Sequence, residues 1–555
     1  MNKKFFEITQ NLSLGKFITE FEDSILKKKI SLAIKLNKKK QIIGVITRGD
    51  LRRIIYKNRN FKEKIDKYLN YKPILIKDSE LDNNLFFKLV KKSKAKKFDD
   101  VFVVDKKKKF LQIIKYKDLI KNYKFKKTCI IGMGHIGIPL AIHVLKKFNY
   151  AVGYDNDKKK IEDLKKYKLN FHEKNLDLIF AKKVKNKNLD LVYNINKINS
   201  EVYIVCIGSS FDANKVSNVN LKKIAEDLSK ILKKGDLIIL RGTVSVGVSR
   251  QVFLKSILKF SNLKNGVDFY FAYMPERLVE GNALEELENI PCLIAGSSEK
   301  CLEVAYDYSK ELFKNVLKLD SLEEGEIVKL TTNSYRALNF TFSNEISRIA
   351  NLHGLSGSNL IEKANFGYNR NSIAKPSLGI GGFCLPKDPI LFSDNLQKKS
   401  NYKLGRISND INKSVTTFFA NKFIKILQNK KQIKKVLIMG ISFKGLPETI
   451  DIRNSTSIEI VKKMNKRNIE FYGYDPLGSK LKKIVKIKNF KILDKKINVN
   501  IFDMIIIVND HPNFYQIIES QLKENKSNKK KYIFDTWNKL NVNHIINLNW
   551  EYLKI

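Results

Sequence analysis

The sequence predicts an α/β protein with two doubly wound domains, joined by a long-helix middle domain and preceded by a small α/β module. Short apolar strands alternate with helical patterns after Lys127 and again after Lys434, as in parallel sheets. Between these blocks, a proline-free helical pattern runs from Leu322 to His353. Ahead of Lys127, a strand and helix unit occurs twice. The expected domains are therefore residues 1–125, 126–320, 321–430 and 431–555.

The composition is unusual mainly in its charge. Lysine and arginine number 105 against 57 acidic residues, a formal net charge of +48, while 43% of residues are hydrophobic. The lysines occur in short runs such as Lys106–Lys109, without an arginine-rich arm or interleaved aromatic residues. We therefore expect no specific nucleic-acid partner. Non-specific polyanion binding stays an alternative, because the positive charge favours anionic ligands.

The cysteine spacing and the lengths of the apolar runs argue against several other classes of protein. The five cysteines show no CxxC spacing, so neither a zinc site nor a disulfide framework is indicated, and we expect no metal. There is no run of about 18 apolar residues. The N-terminus is basic but lacks an apolar signal region. We expect a cytoplasmic protein without membrane insertion.

The N-terminal module contains a predicted internal repeat. Gln41–Leu51 is typical of a strand, a short turn and a helix, and a weaker copy begins at Val101 and continues into a helix from Tyr116. The first copy resembles CBS (cystathionine-β-synthase-type) modules, whose paired repeats bind adenosine nucleotides. That resemblance implies that Thr47 and Asp50 contact a ribose or phosphate. A structural or oligomerising module without a ligand is the alternative.

A GxGxxG fingerprint follows the first strand of the next block and opens a helix near residue 135. Gly132 permits a tight turn, Gly134 lets the backbone approach a pyrophosphate next to Ile136, and Gly137 allows close helix packing. The helix N-terminus favours the phosphates. Asp155, at the end of the next strand, would accept hydrogen bonds from ribose hydroxyls and repel a 2′-phosphate. The sequence thus predicts a Rossmann-like domain that binds NAD rather than NADP.

The segment Gly381-Gly382-Phe383-Cys384-Leu385-Pro386-Lys387-Asp388 predicts a reactive cysteine. A thiol beside a cation can ionise, and the thiolate is the nucleophile. The glycines would let a ligand approach the backbone, and the carboxylate could orient or deprotonate a water molecule. The alternative is a buried cysteine in a turn.

From Lys127 onward the chain resembles the UDP-glucose/UDP-N-acetylmannosamine dehydrogenase family. The family oxidises a sugar CH₂OH group to a carboxylate in two NAD-dependent steps, through a cysteine thiohemiacetal and thioester. The matching segments run in family order: the fingerprint, Arg241–Val244, Pro275–Arg277, Lys329–Asn333, the Cys384 loop and Gly440–Gly445.

The resemblance implies roles for individual residues. Lys329 and Asn333, four residues apart on a helix, would stabilise negative charge on oxygen. Glu276 and Asp388 would handle water and proton transfers, and Thr243 would help to place that water. Two binding sets follow as well: Thr243 and Arg453 for the cofactor, and Glu276, Arg277, Lys329, Asn333, Gly381, Lys387 and Lys444 for the substrate. Each residue alone has an ordinary structural alternative.

Details of the match bear on the substrate. Pro275-Glu276-Arg277 resembles the N-acetylhexosamine branch more than the Pro-Glu-Phe of UDP-glucose enzymes. Trp537 stands where many UDP-glucose enzymes have a substrate-binding arginine, and Ile207–Ser210 replaces a Thr-Pro loop near the cofactor. We expect UDP-N-acetylmannosamine or UDP-N-acetylglucosamine, used for surface polysaccharide synthesis, with UDP-glucose as the alternative. The resemblance also implies a homodimer or larger assembly through the long middle helix.

Two other functions are weighed against this one. A simple β-hydroxyacid dehydrogenase shares a dinucleotide domain and a long-helix domain, but needs neither Cys384 nor the second α/β block. An inactive, nucleotide-sensing regulator would be led by the N-terminal module. The full set of Cys384, Lys329, Asn333, Glu276 and Asp388 argues against loss of activity.

Overall fold

The computed structural model describes residues 5–28, 30, 32–57, 60–78, 100–115, 127–148, 150–212, 215–394, 403–464, 469–494, 497–526 and 529–554. The helix predicted from Tyr116 lies outside these residues. The chain forms two compact units, one comprising Met1–Phe125, Lys233–Gly235 and Leu263–Phe269, and the other the remainder. None of the described helices is long and apolar enough to cross a membrane.

The first unit contains two three-stranded sheets with the same topology. In each sheet the first two strands are parallel and the last two form an antiparallel hairpin, in the orders β1-β2-β3 and β4-β5-β6. The elements are β1 Phe6–Ile8, α1 Leu14–Lys28, β2 Leu32–Leu36, β3 Ile42–Thr47, α2 Arg48–Lys57, a 3₁₀ turn Ile65–Tyr68, β4 Leu75–Lys77, β5 Asp100–Val104 and β6 Phe110–Lys115.

The two hairpin turns of this unit are built alike. Lys40 and Lys108 both adopt the left-handed conformation, with φ of 59° and 62°. The side-chain oxygens of Asn37 and Asp105 each accept two backbone N–H groups of their own turn. The described part of the repeat therefore has the two-copy form that the sequence predicts, although a CBS ligand site stays a prediction.

The second unit begins with an eight-stranded sheet in the order β16-β15-β14-β13-β10-β7-β8-β9, beside a small β11-β12 hairpin. Its strands are β7 Thr128–Ile131, β8 Ala151–Tyr154, β9 Leu189–Val192, β10 Val202–Val205, β11 Ser210–Asp212, β12 Lys215–Ser217, β13 Leu237–Leu240, β14 Tyr270–Tyr273, β15 Cys292–Gly296 and β16 Val316–Leu319. Its helices are α3 Gly137–Phe148, α4 Lys158–Lys165, α5 Leu176–Lys185, α6 Val219–Ile231, α7 Lys255–Phe260, α8 Ala283–Asn289 and α9 Glu299–Leu312, with a 3₁₀ turn Ile195–Lys197 and a π-helical segment Ser249–Leu254.

This sheet departs from the predicted parallel arrangement in one pair. Strands β14 and β15 are antiparallel, whereas the other described pairs of the eight strands are parallel. The first helix begins at Gly137 rather than near His135, because residues 134–136 form a turn.

The middle of the unit is helical. Its elements are α10 Leu322–Leu352, α11 Gly357–Asn365, α12 Cys384–Ser393 and α13 Leu404–Asn429. Helix α10 ends one residue before the predicted His353. It is started by Ser321, whose hydroxyl accepts the N–H of Glu324 at 3.1 Å. Helix α13 packs on the following domain, where Phe423 lies edge-on to Phe534 at 4.8 Å between ring centroids.

A six-stranded parallel sheet, in the order β19-β18-β17-β20-β21-β22, forms the C-terminal domain. Its elements are β17 Lys435–Met439, α14 Thr456–Met464, β18 Glu470–Tyr474, α15 Gly478–Ile484, β19 Phe490–Leu493, a 3₁₀ turn Val499–Ile501, β20 Met504–Ile507, α16 Pro512–Gln521, β21 Lys531–Asp535, α17 Val542–Asn547 and β22 Trp550–Lys554.

The first turn of this sheet repeats the glycine turn of the earlier domain. Gly132 and Gly440 both have φ of 94°. Asp155 accepts the N–H of Met133, and Asp475 accepts the N–H of Ile441, each at 3.0 Å. The chain thus contains two Rossmann-like domains that close their first turn in the same way.

Candidate active site

Asp388 is the centre of a buried polar cluster at the start of helix α12. Its Oδ1 accepts a hydrogen bond from Lys387 Nζ at 2.6 Å, and its Oδ2 accepts one from Asn333 Nδ2 at 2.6 Å. Lys329 Nζ lies 4.0 Å from the same Oδ2. The Asp388 side chain is completely buried, and a buried carboxylate without partners is costly. These hydrogen bonds and the nearby ammonium groups offset that cost.

Helix α10 supplies Lys329 and Asn333 on one face, as the four-residue spacing predicts. Both side chains are buried. Burial acts to lower the pKa of Lys329, but the negative charges of Glu276 and Asp388 outweigh it, so this pKa is raised. Lys329 therefore stays protonated, which suits a group that stabilises negative charge.

Cys384 begins helix α12 and is exposed. The protein packed around the thiol, together with the charges of Asp388 and Glu276, raises the pKa of Cys384 to about 11, against the opposing effect of Lys329 and Lys387. This differs from the expectation that neighbouring cations would ionise the thiol. Burial of the thiol is the largest cause of the raised pKa, and the single negative charge of Asp388 offsets part of the effect of the two lysines.

The glycines before Cys384 pack against the C-terminal domain. Gly382 has φ of 83° and donates its N–H to the Arg453 carbonyl at 2.9 Å. Asn454 Nδ2 in turn donates to the Gly382 carbonyl at 2.8 Å. A Cβ atom on Gly381 would lie 2.8 Å from the Asn454 carbonyl oxygen. Close packing of two domains therefore requires glycine here, beyond any ligand contact.

Arg453 and Lys444 lie on the loop of the C-terminal domain that meets this segment. The Arg453 guanidinium pairs with Asp451 at 2.7 Å and lies 4.7 Å from the centre of the Phe383 ring. Lys444 Nζ donates to the Glu280 carbonyl at 2.5 Å, and burial lowers the pKa of Lys444. The structure thus brings Arg453 beside the cysteine loop and ties Lys444 to the first Rossmann-like domain.

The side chains of Glu276 and Arg277, in the Pro275–Arg277 segment, lie in two different environments. Glu276 is buried and accepts the N–H of Leu278. Arg277 donates to the Pro291 carbonyl at 2.5 Å and lines a small cavity with Arg241 and Phe313. Among the described residues, Arg277 has no hydrogen bond or ion pair with the Asp388 cluster.

Thr243 follows strand β13, where its loop packs on the loop after β10. The Thr243 carbonyl accepts the N–H of Ser209 at 2.9 Å. Any side chain at Gly208 or Gly242 would collide with the facing backbone. The Ile207–Ser210 loop, which departs from the family pattern, is therefore held by Thr243, and Ile207 lines the neighbouring cavity.

A cavity of about 650 Å³ lies over the fingerprint. Its lining includes Gly132, Gly134, His135, Ile136, Gly137, Tyr154, Asp155, Lys160, Tyr193, Cys206 and Ile207. A Cβ at Gly137 would collide with the Gly132 carbonyl, whereas Gly134 has open space beside it. These are the properties that a dinucleotide pyrophosphate needs. Thr243 and Arg453, which were also predicted to bind the cofactor, do not line this cavity.

Asp155 lies in the cavity with a partner that the sequence analysis missed. Lys160 Nζ donates to Asp155 Oδ2 at 2.9 Å, alongside the N–H of Met133. The only sequence signal for this contact was a lysine in the first turn of helix α4, which follows Asp155. Among so many lysines it could not be distinguished.

Glu326 is a second residue that sequence reasoning missed. Its side chain is completely buried, and it accepts the N–H and hydroxyl of Ser249 at 2.8 and 2.6 Å and the N–H of Gly247 at 2.5 Å. Burial raises the pKa of Glu326 to about 7 against these hydrogen bonds. One turn before Lys329, Glu326 ties helix α10 to the segment that follows Thr243.

Comparison with known proteins gives a consistent result. Models of the UDP-glucose/GDP-mannose dehydrogenase family match residues 126–317 as the NAD binding domain, 323–414 as the central domain and 437–542 as the UDP binding domain. UDP-N-acetyl-D-mannosamine dehydrogenase of Methanocaldococcus jannaschii is 30% identical over 76% of this chain and 94% of its own length. UDP-N-acetyl-D-glucosamine 6-dehydrogenase of Pseudomonas aeruginosa is 26% identical over 63% and 82%. The solved structure of UDP-D-ManNAc dehydrogenase from Pyrococcus horikoshii covers 77% of this chain and 99% of its own, with 25% identity and a TM-score of 0.64.

Proposed function

The chain belongs to the UDP-glucose/GDP-mannose dehydrogenase family, and we propose that it oxidises the C6 hydroxymethyl group of a UDP-N-acetylhexosamine to the uronic acid. It is an NAD-dependent nucleotide-sugar dehydrogenase that acts on a CH–OH group. The observation that carries the proposal is Cys384, an exposed residue at the start of helix α12, beside the buried Lys329, Asn333 and Asp388.

The proposed reaction has a covalent stage on Cys384. NAD, when bound, accepts the hydride in each of the two oxidations. The Cys384 sulfur adds to the C6 aldehyde of the first oxidation, and the thiol proton passes to the new hydroxyl, giving a thiohemiacetal. Oxidation of that carbon yields a thioester, and water releases the carboxylate and the free thiol. One sugar therefore consumes two NAD and one water.

The cluster supports separate roles for its members. Lys329 and Asn333 would donate to the oxygen of the reacting carbon, where negative charge develops in each addition step. Asp388 is completely buried and already bonded, which favours a role in orienting Asn333 and the lysines. Glu276 is then the better candidate for proton transfer with the hydrolytic water, and Thr243 for placing that water.

The substrate class rests on the motif and on the relatives. The UDP binding domain match supports a uridine diphosphate, with Lys387, Lys444 and Gly381 as candidate contacts. Pro275-Glu276-Arg277 and the names of the relatives favour an N-acetylhexosamine, with UDP-glucose as the alternative. The bond from Arg277 to Pro291 lends no support to its predicted substrate contact.

The test is the stoichiometry of NADH with limiting UDP-N-acetylmannosamine, UDP-N-acetylglucosamine and UDP-glucose in parallel. Two NADH per sugar, with one of the N-acetylhexosamines preferred, is the expected result. One NADH per sugar would contradict the thioester stage. Preference for UDP-glucose would contradict the substrate class while leaving the chemistry intact.

Three finer points are proposals as well. The division into four domains is supported by a first compact unit that contains residues 1–125 and by separate family matches to residues 126–317, 323–414 and 437–542. A homodimer or larger assembly is supported by the exposed Tyr335, Phe342 and Ile349, which share one side of helix α10 at seven-residue spacing. We also propose a cytoplasmic location, where NAD and UDP-sugars are available, and a contribution to surface polysaccharide synthesis.

An adenine nucleotide at the N-terminal module is a further proposal. Asp50 Oδ2 accepts both the N–H and the hydroxyl of Thr47, at 3.0 and 2.6 Å, and its Oδ1 accepts from Arg53 at 2.5 Å. The Thr47 hydroxyl also caps the N–H of Asp50 at 3.1 Å. These contacts order the turn at the start of helix α2 and support a preformed place for a ribose or phosphate.

A further inference from the structure

Two lysine-rich turns lie side by side at one end of the first unit. The antiparallel bridge between Gln41 and Lys109 joins them, the N–H of Phe110 donates to the Lys40 carbonyl at 2.9 Å, and Gln41 Nε2 donates to the Lys107 carbonyl at 2.8 Å. The resulting twin-turn patch consists of Lys38, Lys39, Lys40, Lys106, Lys107, Lys108 and Lys109, all exposed. Neither the dehydrogenase chemistry nor the Thr47–Asp50 turn uses these residues.

The twin-turn patch is a fixed surface rather than a charged tail. Each turn is held by an Asn37 or Asp105 side chain that accepts two backbone N–H groups at 2.8–2.9 Å. The Asp105 carboxylate is thereby engaged within its own turn. No lysine of the patch forms an ion pair with any residue in the described ranges. The ammonium groups are therefore available together to one external partner.

Apolar side chains accompany the lysines at matching positions. Ile43 and Leu111 occupy equivalent places just after the two turns, and they are 36% and 48% exposed. The patch has no arginine for bidentate recognition, and the neighbouring ring of Phe110 is partly buried and packs edge-on against Phe5. Point charges beside exposed aliphatic groups match the headgroup and acyl boundary of a membrane better than a nucleic acid.

We propose that the twin-turn patch binds the surface of an anionic phospholipid bilayer. The ammonium groups would lie among the lipid phosphates, and Ile43 and Leu111 would contact the acyl boundary. Each lysine near such a surface strengthens binding by about fivefold at moderate salt. The proposal does not depend on which sugar the enzyme oxidises.

The experiment is sedimentation of the full-length protein with vesicles of equal parts phosphatidylglycerol and phosphatidylcholine. The test variant is Lys38→Gln/Lys39→Gln/Lys106→Gln/Lys107→Gln, which keeps Lys40 and Lys108 in their left-handed positions. The control removes the same charge from four exposed lysines of the second unit, Lys425, Lys431, Lys434 and Lys463, each changed to Gln. NADH formation and melting temperature confirm that both proteins are folded.

We expect the test variant to need at least about tenfold more lipid for half-maximal binding, and the control to behave as the wild type. Raising the salt should weaken wild-type binding, and vesicles of phosphatidylcholine alone should not bind. Equal losses in test and control variants would mean that only the overall charge matters, and would overturn the proposal. Unchanged binding of the test variant would do the same.

A second variant separates a bilayer from a nucleic acid. Ile43→Ser/Leu111→Ser should weaken vesicle binding and leave binding to polyuridylate unchanged, because only the bilayer offers an apolar phase. If vesicle binding is unaffected by this variant while polyuridylate binding is lost in the four-lysine variant, the patch is a site for nucleic acid and the membrane assignment is wrong.

Discussion

The side-chain amide of Asn333 donates a 2.6 Å hydrogen bond to Oδ2 of Asp388, across 55 positions of the chain. This bond joins the middle of helix α10 to the first turn of helix α12, which begins with Cys384. Because Lys387 holds the other carboxylate oxygen, the orientation of Asp388 is fixed on both sides. The distance between Cys384, the proposed nucleophile, and the groups proposed to stabilise the oxyanion thus depends on one buried carboxylate.

Replacing that carboxylate should slow the chemistry more than it weakens binding. For Asp388→Asn we expect kcat to fall on the order of 10²-fold, because Lys329 loses the negative charge beside it and the remaining amide oxygen can accept from only one of Asn333 and Lys387 in the present geometry. The measurement is kcat and KM for UDP-sugar oxidation. Asp394→Asn, directly after the end of the same helix, where Asp394 pairs with Arg406, is the control and should leave kcat unchanged. An unchanged kcat in Asp388→Asn would remove its proposed positioning role.

The covalent stage predicts a specific defect for Cys384→Ser. We expect no acid to form from the UDP-sugar, because a serine hydroxyl is a weaker nucleophile without an adjacent base, while NAD still binds. Product analysis and NAD titration measure the two properties separately. Cys301→Ala, in the buried face of helix α9, controls for loss of a thiol elsewhere. Full acid formation by Cys384→Ser would exclude the thioester.

Glu326 should make stability depend on pH in a defined direction. Its pKa is raised from 4.5 to about 7 by burial, so the protonated form is favoured in the folded state. The stability that this provides is present below about pH 4.5 and is lost as the pH rises through about 7. The melting temperature of the wild type should therefore fall more between about pH 5 and pH 8 than that of Glu326→Gln.

The control for this prediction is Glu323→Gln. Hydrogen bonding to Arg250 lowers the pKa of Glu323, so its stabilisation is lost only as the pH falls below its usual titration range. Above about pH 5, the melting temperature of Glu323→Gln should change with pH in the same way as that of the wild type. If the melting temperatures of the wild type and Glu326→Gln change equally between about pH 5 and pH 8, Glu326 does not titrate in this range.

The exposed side of helix α10 predicts an interface. Phe342 is 58% exposed and lies between Tyr335 and Ile349 on the same side. For Phe342→Lys we expect a shift toward the monomer, because a buried ammonium without a partner is costly. Light scattering after size exclusion measures the mass. Leu178→Lys, at an apolar position that is 80% exposed in the first Rossmann-like domain, should not change it.

The N-terminal module predicts a response that is separable from catalysis. Asp50→Ala should abolish any effect of AMP or ATP on the activity, and leave basal NADH formation unchanged. Calorimetric titration of the full-length protein with each nucleotide gives the direct readout. Asp66→Ala, which removes the partner of Lys35 in the same unit, is the matched control. A wild type that neither binds nor responds to adenine nucleotides would refute the sensor hypothesis.

The sequence was sufficient where the local pattern is strong. The periodicity of Leu322–His353 predicted helix α10 to within one residue, and the glycine spacing at Gly132–Gly137 predicted the turn over the cavity. It did not predict strand β15, whose antiparallel pairing with β14 departs from the expected parallel sheet and depends on contacts distant in the chain. Short strands carry little periodic signal, so tertiary packing decides their direction.

For the site, the sequence by itself determined which residues are predicted to carry the chemistry. Cys384, Lys329, Asn333, Glu276 and Asp388 were predicted from residue type, spacing and family order, and their catalytic roles stay a prediction. Only the tertiary structure decided their states: the raised pKa of Cys384, the complete burial of Asp388, and the partners Lys160 and Glu326. The physical reason is that desolvation and charge pairing depend on distances between segments far apart in the chain, which residue order does not specify.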